Sequence, residues 1–487
     1  MANHSASYHS LRRKVSYCLI ALLVILGSIF PAFSQEMLGI SNSNFAGNMG
    51  MSLNPSLFVG SPYRHEFNLI SGDLFIDNDF VYLQKRSSTL VNSINGEPIP
   101  EERFKNYTTT TPKKVYGNVF LRGPSYIQNK DRFSWGVHTA FRGNLSATDV
   151  PFHLAKFIKE GFDYIPQHDI NFISTPFKST TMAWGEIGGT YGRKLYERRE
   201  KGYLAGAVTL KFLIGFDAAF ADLSEFDYEV PSSDTLVVNT VTGTYGHSLT
   251  DDEKGFNKPL KFRGFGGGID IGITYYRGKI HGAGDCNATA EIRKKYKYRL
   301  GISIIDIGFV RFSKQAKVFE FNNNSAIWPG IDTVNFSTIM TMDTTISGHF
   351  YGDPYASQTD AAFSIYTPTA LSVQFDYCII PRIYVNASII QAIPLSKLSI
   401  VRASQFSITP RFETRKFEVA LPITLYEYKT PHVGIAVRYK FLVLGTERLG
   451  SFTGLWNTTG YDIYFGLKFN VCQLKKKGGK DSFCPVD

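Results

Sequence analysis

Histidine, aspartate and arginine set inside strand-like stretches are the residues of this sequence that could do chemistry. His138 lies in RFSWGVHTAFR, on the same alternate row as Arg132 and Arg142. A catalytic reading needs such a histidine beside a serine or aspartate at one level of the fold. The histidines after residue 34 are His65, His138, His153, His168, His247, His281, His349 and His432, and they are scattered along the chain. His138 is the one in a strand with a polar face, and its expected role is that of a hydrogen-bonded interior residue. Asp270, Asp306 and Asp376 also fall within strand patterns. Carboxylates so placed must face an interior and pair with Arg or Lys across it.

The motifs of known chemistries are missing. The sequence has no nucleophile elbow, P-loop, His-Glu-x-x-His or Cys-x-x-Cys. Gly264–Gly268 opens a strand rather than a helix, so its glycines make room for a neighbouring backbone or a bulge. Asp77-Asn78-Asp79 lacks the spaced ligands of a calcium loop and reads as a turn. Cys286, Cys378, Cys472 and Cys484 show no metal-site spacing, although Cys472 and Cys484 could close a small loop in an oxidising compartment. The sequence therefore implies no catalytic residue, no metal and no cofactor, and the protein is expected not to be an enzyme. Lys and Arg are dispersed over strand ends, polar strand faces and loops, with a tight run at Lys475–Lys477 near the C-terminus. That excludes nucleic acid and leaves anionic lipid headgroups as neighbours.

The elements that would hold these residues are long amphipathic strands. In Arg132–Arg142 one row reads Phe133, Trp135, Val137, Thr139, Phe141 and the other is small, polar or cationic. Successive strand side chains point to opposite faces, so one face is apolar and the other is not. About eleven residues with aromatics at both ends matches a tilted strand crossing a bilayer. Leu204–Phe216 and Ile463–Val471 repeat the pattern, and the last would close a barrel against its first strand. Aromatics are 14% and mean hydropathy is -0.11, which suits strands with one wet face rather than spanning helices. The fold class is all-β: an antiparallel transmembrane β-barrel of about fourteen strands, counting Arg64–Ile76 and Asp79–Leu83 as two and Val433–Leu444 as one. Residues 149–162 give helical spacing and predict a short amphipathic helix in a loop.

Four segments follow. Arg12, Arg13 and Lys14 precede the apolar run Tyr17–Phe30, and Ala32-Phe33-Ser34 places signal cleavage before Gln35. Loss of residues 1–34 removes three positive charges and no negative ones, so the balance falls from +10 to +7. Residues 35–62 are aperiodic, and Leu53, Leu57 and Phe58 are too apolar for a free linker. They predict a hatch folded inside the barrel, bent at Asn54-Pro55. Residues 63–472 form the barrel and 473–487 a tail. Two strands in Arg64–Leu83 would put every long loop on the periplasmic side, against the usual arrangement. Either a strand is miscounted near Gly72-Asp73, which is the expectation, or the barrel is inverted from the rule.

The stretches NSNFAGNMGMSLNPSLFVGSPYRHEFNL, FGGGIDIGITYYR, YRLGISIIDIGFVRF, TPTALSVQFDY and ITPRFETRKFEVALPITLY resemble an uncharacterised family of outer-membrane barrels from Bacteroidota, a domain of unknown function. That family is similar to the FadL-like transporters and to the FadL-like barrels of type IX secretion. Asn54-Pro55-Ser56 stands where FadL-like proteins carry Asn-Pro-Ala, and the third residue differs. The similar segments cover most of residues 41–471. The resemblance implies passive uptake or binding of a hydrophobic or amphipathic molecule, with a non-transporting, secretion-associated interaction barrel as the alternative. Asn44, Leu53, Asn54, Pro55 and Phe58 are the gate candidates, and Arg132, His138 and Arg142 the lumen-facing ones. Expected partners are outer-membrane lipid, a hydrophobic ligand and envelope proteins.

Overall fold

Alternation along each strand, repeated until the ring closes, sets the architecture. The computed structural model describes residues 36–59, 61, 63–85, 100–130, 132–198, 201–249, 261–278, 296–334 and 338–472. The signal segment and the tail, with the Cys472–Cys484 pairing, lie outside the described residues or their side chains. The staves begin with β1 (Tyr63–Asn78), β2 (Lys113–Asn129), β3 (Phe133–Val150), β4 (Phe177–Arg198) and β5 (Gly202–Ser232). Next come β6 (Gly264–Arg277), β7 (Tyr298–Phe312), β8 (Phe363–Tyr366 continued by Ala370–Ile380) and β9 (Ile383–Ala392). β10 (Gln405–Glu413), β11 (Phe417–Ala420 continued by Ile423–Tyr426) and β12 (Pro431–Val433 continued by Ile435–Tyr439) follow, then β13 (Leu442–Thr446) and β14 (Gly460–Cys472). Neighbours pair antiparallel all the way round, and β14 pairs with β1, so fourteen strands close with no open edge in the ring.

The outer surface is that of a membrane-spanning barrel. On β3, Val137 and Thr139 are exposed while Ser134, Gly136, His138 and Ala140 are buried. Val208, Leu210, Ile271, Ile273, Ile302 and Ile304 continue the exposed apolar band on β5, β6 and β7. Aromatic rings collect at both borders of the band. Near the β2–β3 turn Tyr126 lies 4.9 Å from Phe67 and 5.5 Å from Trp135, and Phe133 lies 6.2 Å from Tyr191. At the opposite border Phe216 lies 5.9 Å from Phe141 and 5.7 Å from Phe262, with Phe212–Phe265 and Phe309–Tyr366 beside them. An apolar band between two aromatic girdles is the surface a bilayer requires.

The strand count agrees with the sequence expectation because two errors cancel. Gly72-Asp73 is not a turn; β1 runs through it without a break. The surplus strand is Val81–Leu83, which leaves the barrel to pair with Phe104–Asn106 in a separate two-stranded sheet. The missing one comes from Val433–Leu444, which turns back at Lys440-Phe441 into β12 and β13. Removing the surplus strand also resolves the conflict over loops. The tight turns 381–382, 414–416 and 440–441 now share one end with the start of β1 and the end of β2. The long segments 79–112, 151–176 and 313–362 share the other, the usual arrangement of outer-membrane barrels.

At the long-loop end the sheet continues beyond the ring. The outer half of β5 pairs with Thr235–Ser248, which pairs with Ala316–Pro329. The predicted helix spans Phe152–Glu160, with Pro151 as its N-cap, and packs Phe157 on Tyr228 and Phe172. A second helix, Ile339–Tyr351, starts at a Thr338–Thr341 capping box and sets Ile346 and Phe350 on the same core. Its apolar face is hidden in a segment whose bulk composition is Asn, Ser, Thr and Asp, so composition alone does not announce a helix there.

Candidate functional site

Residues 36–59 lie inside the ring, because they are held from every side of it. Ser303 Oγ on β7 donates to Leu53 O at 2.7 Å, and Lys468 Nζ on β14 to Ala46 O at 3.0 Å. Arg122 on β2 donates to Asn48 O, and Asn42 Nδ2 donates to Ser388 Oγ on β9 at 3.0 Å. Lumen side chains thus satisfy an irregular backbone at membrane depth. Asn54 is extended (φ -159°, ψ 115°), and its side chain accepts from Ser56 N at 2.9 Å to cap the turn Pro55–Phe58. Its amide nitrogen donates to Ile273 O at 3.2 Å and to Gln374 Oε1 at 3.1 Å. Barrel glycines make the socket: a Cβ on Gly272 would lie 2.1 Å from Asn54 Oδ1.

The expected gate residues occupy separate parts of this segment. Leu53 is fully buried and packs with Leu38, Ile305 and Ile390, while Phe58 packs with Val59, Tyr203 and Tyr276 near the short-turn end. Asn44 N donates to Glu413 Oε2 at 3.2 Å, and its side chain reaches the same carboxylate. Of the lumen candidates, His138 and Arg142 face inward. Arg132 does not: it is exposed in the bend before β3, because the strand begins one residue later, at Phe133.

His138 and Arg142 belong to a buried charge network centred on Asp306. Asp306 has φ 56° at a bulge in β7, between Ile304 and Ile307, where the facing strand β8 is interrupted. The extra residue turns the carboxylate into the lumen, as bulges re-aim side chains. Thr367 and Thr369 hydroxyls both donate to Asp306 O at 2.6 Å and fix that geometry. Arg142 grips the carboxylate with two bonds, 2.6 and 2.9 Å, while Lys211 approaches at 2.7 Å and Arg402 at 2.6 Å. Lys211 also pairs with Asp270 at 2.7 Å, and His138 Nε2 meets Glu186 Oε1 at 2.9 Å. Glu36, the first described residue of the hatch, completes the set by pairing with Arg402. Four cations, counting Arg122, therefore face four carboxylates, and the Phe120 ring lies 5.1 Å from Arg122 and 5.6 Å from Arg142.

Between hatch and wall the network leaves a cavity of about 20 Å³, room for about one water molecule. Arg122 Nε, Arg142 Nε, His138 Nδ1 and Glu186 Oε2 are buried in its lining without a hydrogen-bond partner. Toward the long-loop end the lumen becomes apolar. Met182, Trp184, Leu213, Val310, Phe312 and Ile400 form one buried cluster, and Trp184 lies 5.1 Å from the Arg142 guanidinium. Sequence reasoning found the inward face of β3 but not Glu36, Lys211, Glu186 or Arg402. Lys211 and Glu186 carried a signal, since each sits on the row opposite a run of apolar residues. Glu36 and Arg402 carried none, because both lie outside the strands.

A closed antiparallel ring with a lipid-facing band and an internal N-terminal segment defines the class: a transmembrane β-barrel with an occupied lumen. The chain belongs to the family of unknown function DUF5723, whose model matches residues 58–447. A comparison with curated proteins finds no match. Among solved structures it is similar to the TodX deltaS2S3 mutant monoaromatic hydrocarbon channel, at 11% identity and TM-score 0.42, covering 90% of this chain and 99% of that one. A Pseudomonas aeruginosa FadL homologue matches at 11% identity and TM-score 0.39, covering 90% and 98%. The Pseudomonas putida toluene transporter TodX matches at 9% identity and TM-score 0.30, covering 90% and 97%. Likeness at this level carries no argument about ligand, which rests on the chain's own geometry.

Proposed function

We propose that the protein is a bacterial outer-membrane barrel that binds and passively passes a hydrophobic or amphipathic small molecule, with residues 36–59 as its hatch. The observation that carries the reading is the apolar cluster packed inside the ring. A barrel that passes water and ions keeps a polar lumen. Here Met182, Trp184, Leu213, Val310 and Phe312 turn inward together and sit directly above the charge network that Glu36 enters. An apolar molecule entering from the loop end would meet matching surface first and the hatch second.

Trp184 supplies the test. With Trp135, Trp328 and Trp456 replaced by Phe, it is the remaining fluorophore of its kind. Saturable quenching by a brominated hydrocarbon added to the barrel in nanodiscs is the expected result. A folded barrel whose Trp184 stays unquenched overturns the reading. The alternative, an interaction barrel that transports nothing, is favoured by the nearly filled lumen and by the ordered sheet extension at the loop end. It predicts unquenched Trp184 together with protein partners bound at that extension.

A further inference from the structure

We propose that Lys261, Arg311 and Lys314 form a binding site on the outer wall for the phosphate groups of a phosphorylated lipid in the outer leaflet. The inference rests on the outer-membrane reading for the identity of that leaflet and owes nothing to the lumen. All three side chains are exposed. The fold brings them to one stretch of the rim: Arg311 stands opposite Phe265 in the β6–β7 ladder, and Lys314 N donates to Arg263 O at 3.2 Å, two residues from Lys261. Several other cations at the long-loop end are neutralised. Lys114 pairs with Glu427, Lys178 with Asp222, Lys317 with Asp343 and Lys429 with Asp79. Arg263 between them is turned inward onto Asp217 and Phe216 O. Among the described residues Lys261, Arg311 and Lys314 have no carboxylate partner.

What lies below them decides the chemical class. Phe262, Phe265 and Phe309 are exposed at 56%, 51% and 44%, the aromatic border of the bilayer band. Beneath them Ile271, Ile302 and Ile304 offer an unbroken apolar column along the wall. A soluble anion would use the cations and ignore this column, while an uncharged lipid would do the reverse. A lipid with acyl chains and phosphates uses both, and each juxtamembrane cation contributes about fivefold in affinity for an anionic surface.

The full-length barrel is compared with K261Q/R311Q/K314Q in nanodiscs of zwitterionic lipid doped with bisphosphorylated lipid A, and bound lipid is counted by native mass spectrometry. Retention by the wild type, and a loss of roughly a hundredfold in the triple variant at matched folding by heat-modifiability, is expected. Dephosphorylated lipid A should bind the two proteins alike. Equal retention of the phosphorylated lipid by both folded proteins overturns the site, as does displacement by millimolar inorganic phosphate alone, which would reveal an anion site without lipid. Mislocalisation of the protein, read separately by membrane fractionation, would overturn the outer-membrane reading and leave this binding result standing.

Discussion

Asp306 is the point on which three lumen cations, Arg142, Lys211 and Arg402, converge. Asp306→Asn would strand buried cations whose desolvation is already complete, and removing one partner of such a set costs about 3–5 kcal/mol. A fall of that size in unfolding free energy, measured by urea titration in lipid vesicles, is expected. An unchanged midpoint would mean that Glu186 and Asp270 suffice. At the loop end His153 makes a different prediction. Burial against Phe172, 4.3 Å away, pushes its pKa down from 6.5 to about 4. A depressed histidine favours the neutral ring, so its contribution is complete above the unfolded value and is lost as pH falls toward the folded one. Proteolysis between 152 and 176 should therefore accelerate from neutral pH down to about 4. His153→Phe should flatten that dependence. His138 and Arg142 were legible because alternation fixes the face of a residue. Arg132, just ahead of the same strand, was misplaced because alternation does not say where a strand begins.

Strands were legible wherever both faces kept their character for a full crossing, as in β3, β5 and β14. The errors fell at Val81–Leu83 and Val433–Leu444, where pattern and partner disagree. Asp79–Leu83 has strand composition but pairs off the barrel, and Lys440-Phe441 turns a chain whose alternation gives no warning. Val437 and Val443 are both apolar, so the reversal left the pattern unbroken. The register that did emerge can be tested on β3. Val137→Arg places a cation on the lipid face near mid-depth and should cost about 2–4 kcal/mol. Ala140→Arg, on the buried face beside Glu186, should act by crowding the lumen instead. Labelling by a lipid-phase probe of cysteines placed at 137 and 140 should mark the first alone; equal labelling contradicts the register.

The whole molecule is a socket built around its own N-terminal segment. Glycine on the wall faces bulk on the hatch: Gly272 meets Asn54, and a Cβ on Gly466 would fall 2.0 Å from Met49 Cε. Two charge networks tie the same segment, one through Glu36 and Arg402, the other through Ser43 and Asn44 to Glu418 and Glu413. The ring itself closes by backbone pairing between β1 and β14, to which the hatch contributes nothing. Deleting residues 36–59 should therefore leave a folded, heat-modifiable barrel while removing most of what fills the short-turn half of the lumen. Single-channel conductance in planar bilayers, full-length against truncated protein, should rise from near zero to a steady open level. Gly272→Leu, which would wedge Asn54 from its socket, should give intermittent openings of the same size. Unchanged conductance in a folded truncated barrel would mean that the apolar cluster above, not the hatch, holds the barrel shut, and the gate would then have to be sought at Trp184 and Ile400.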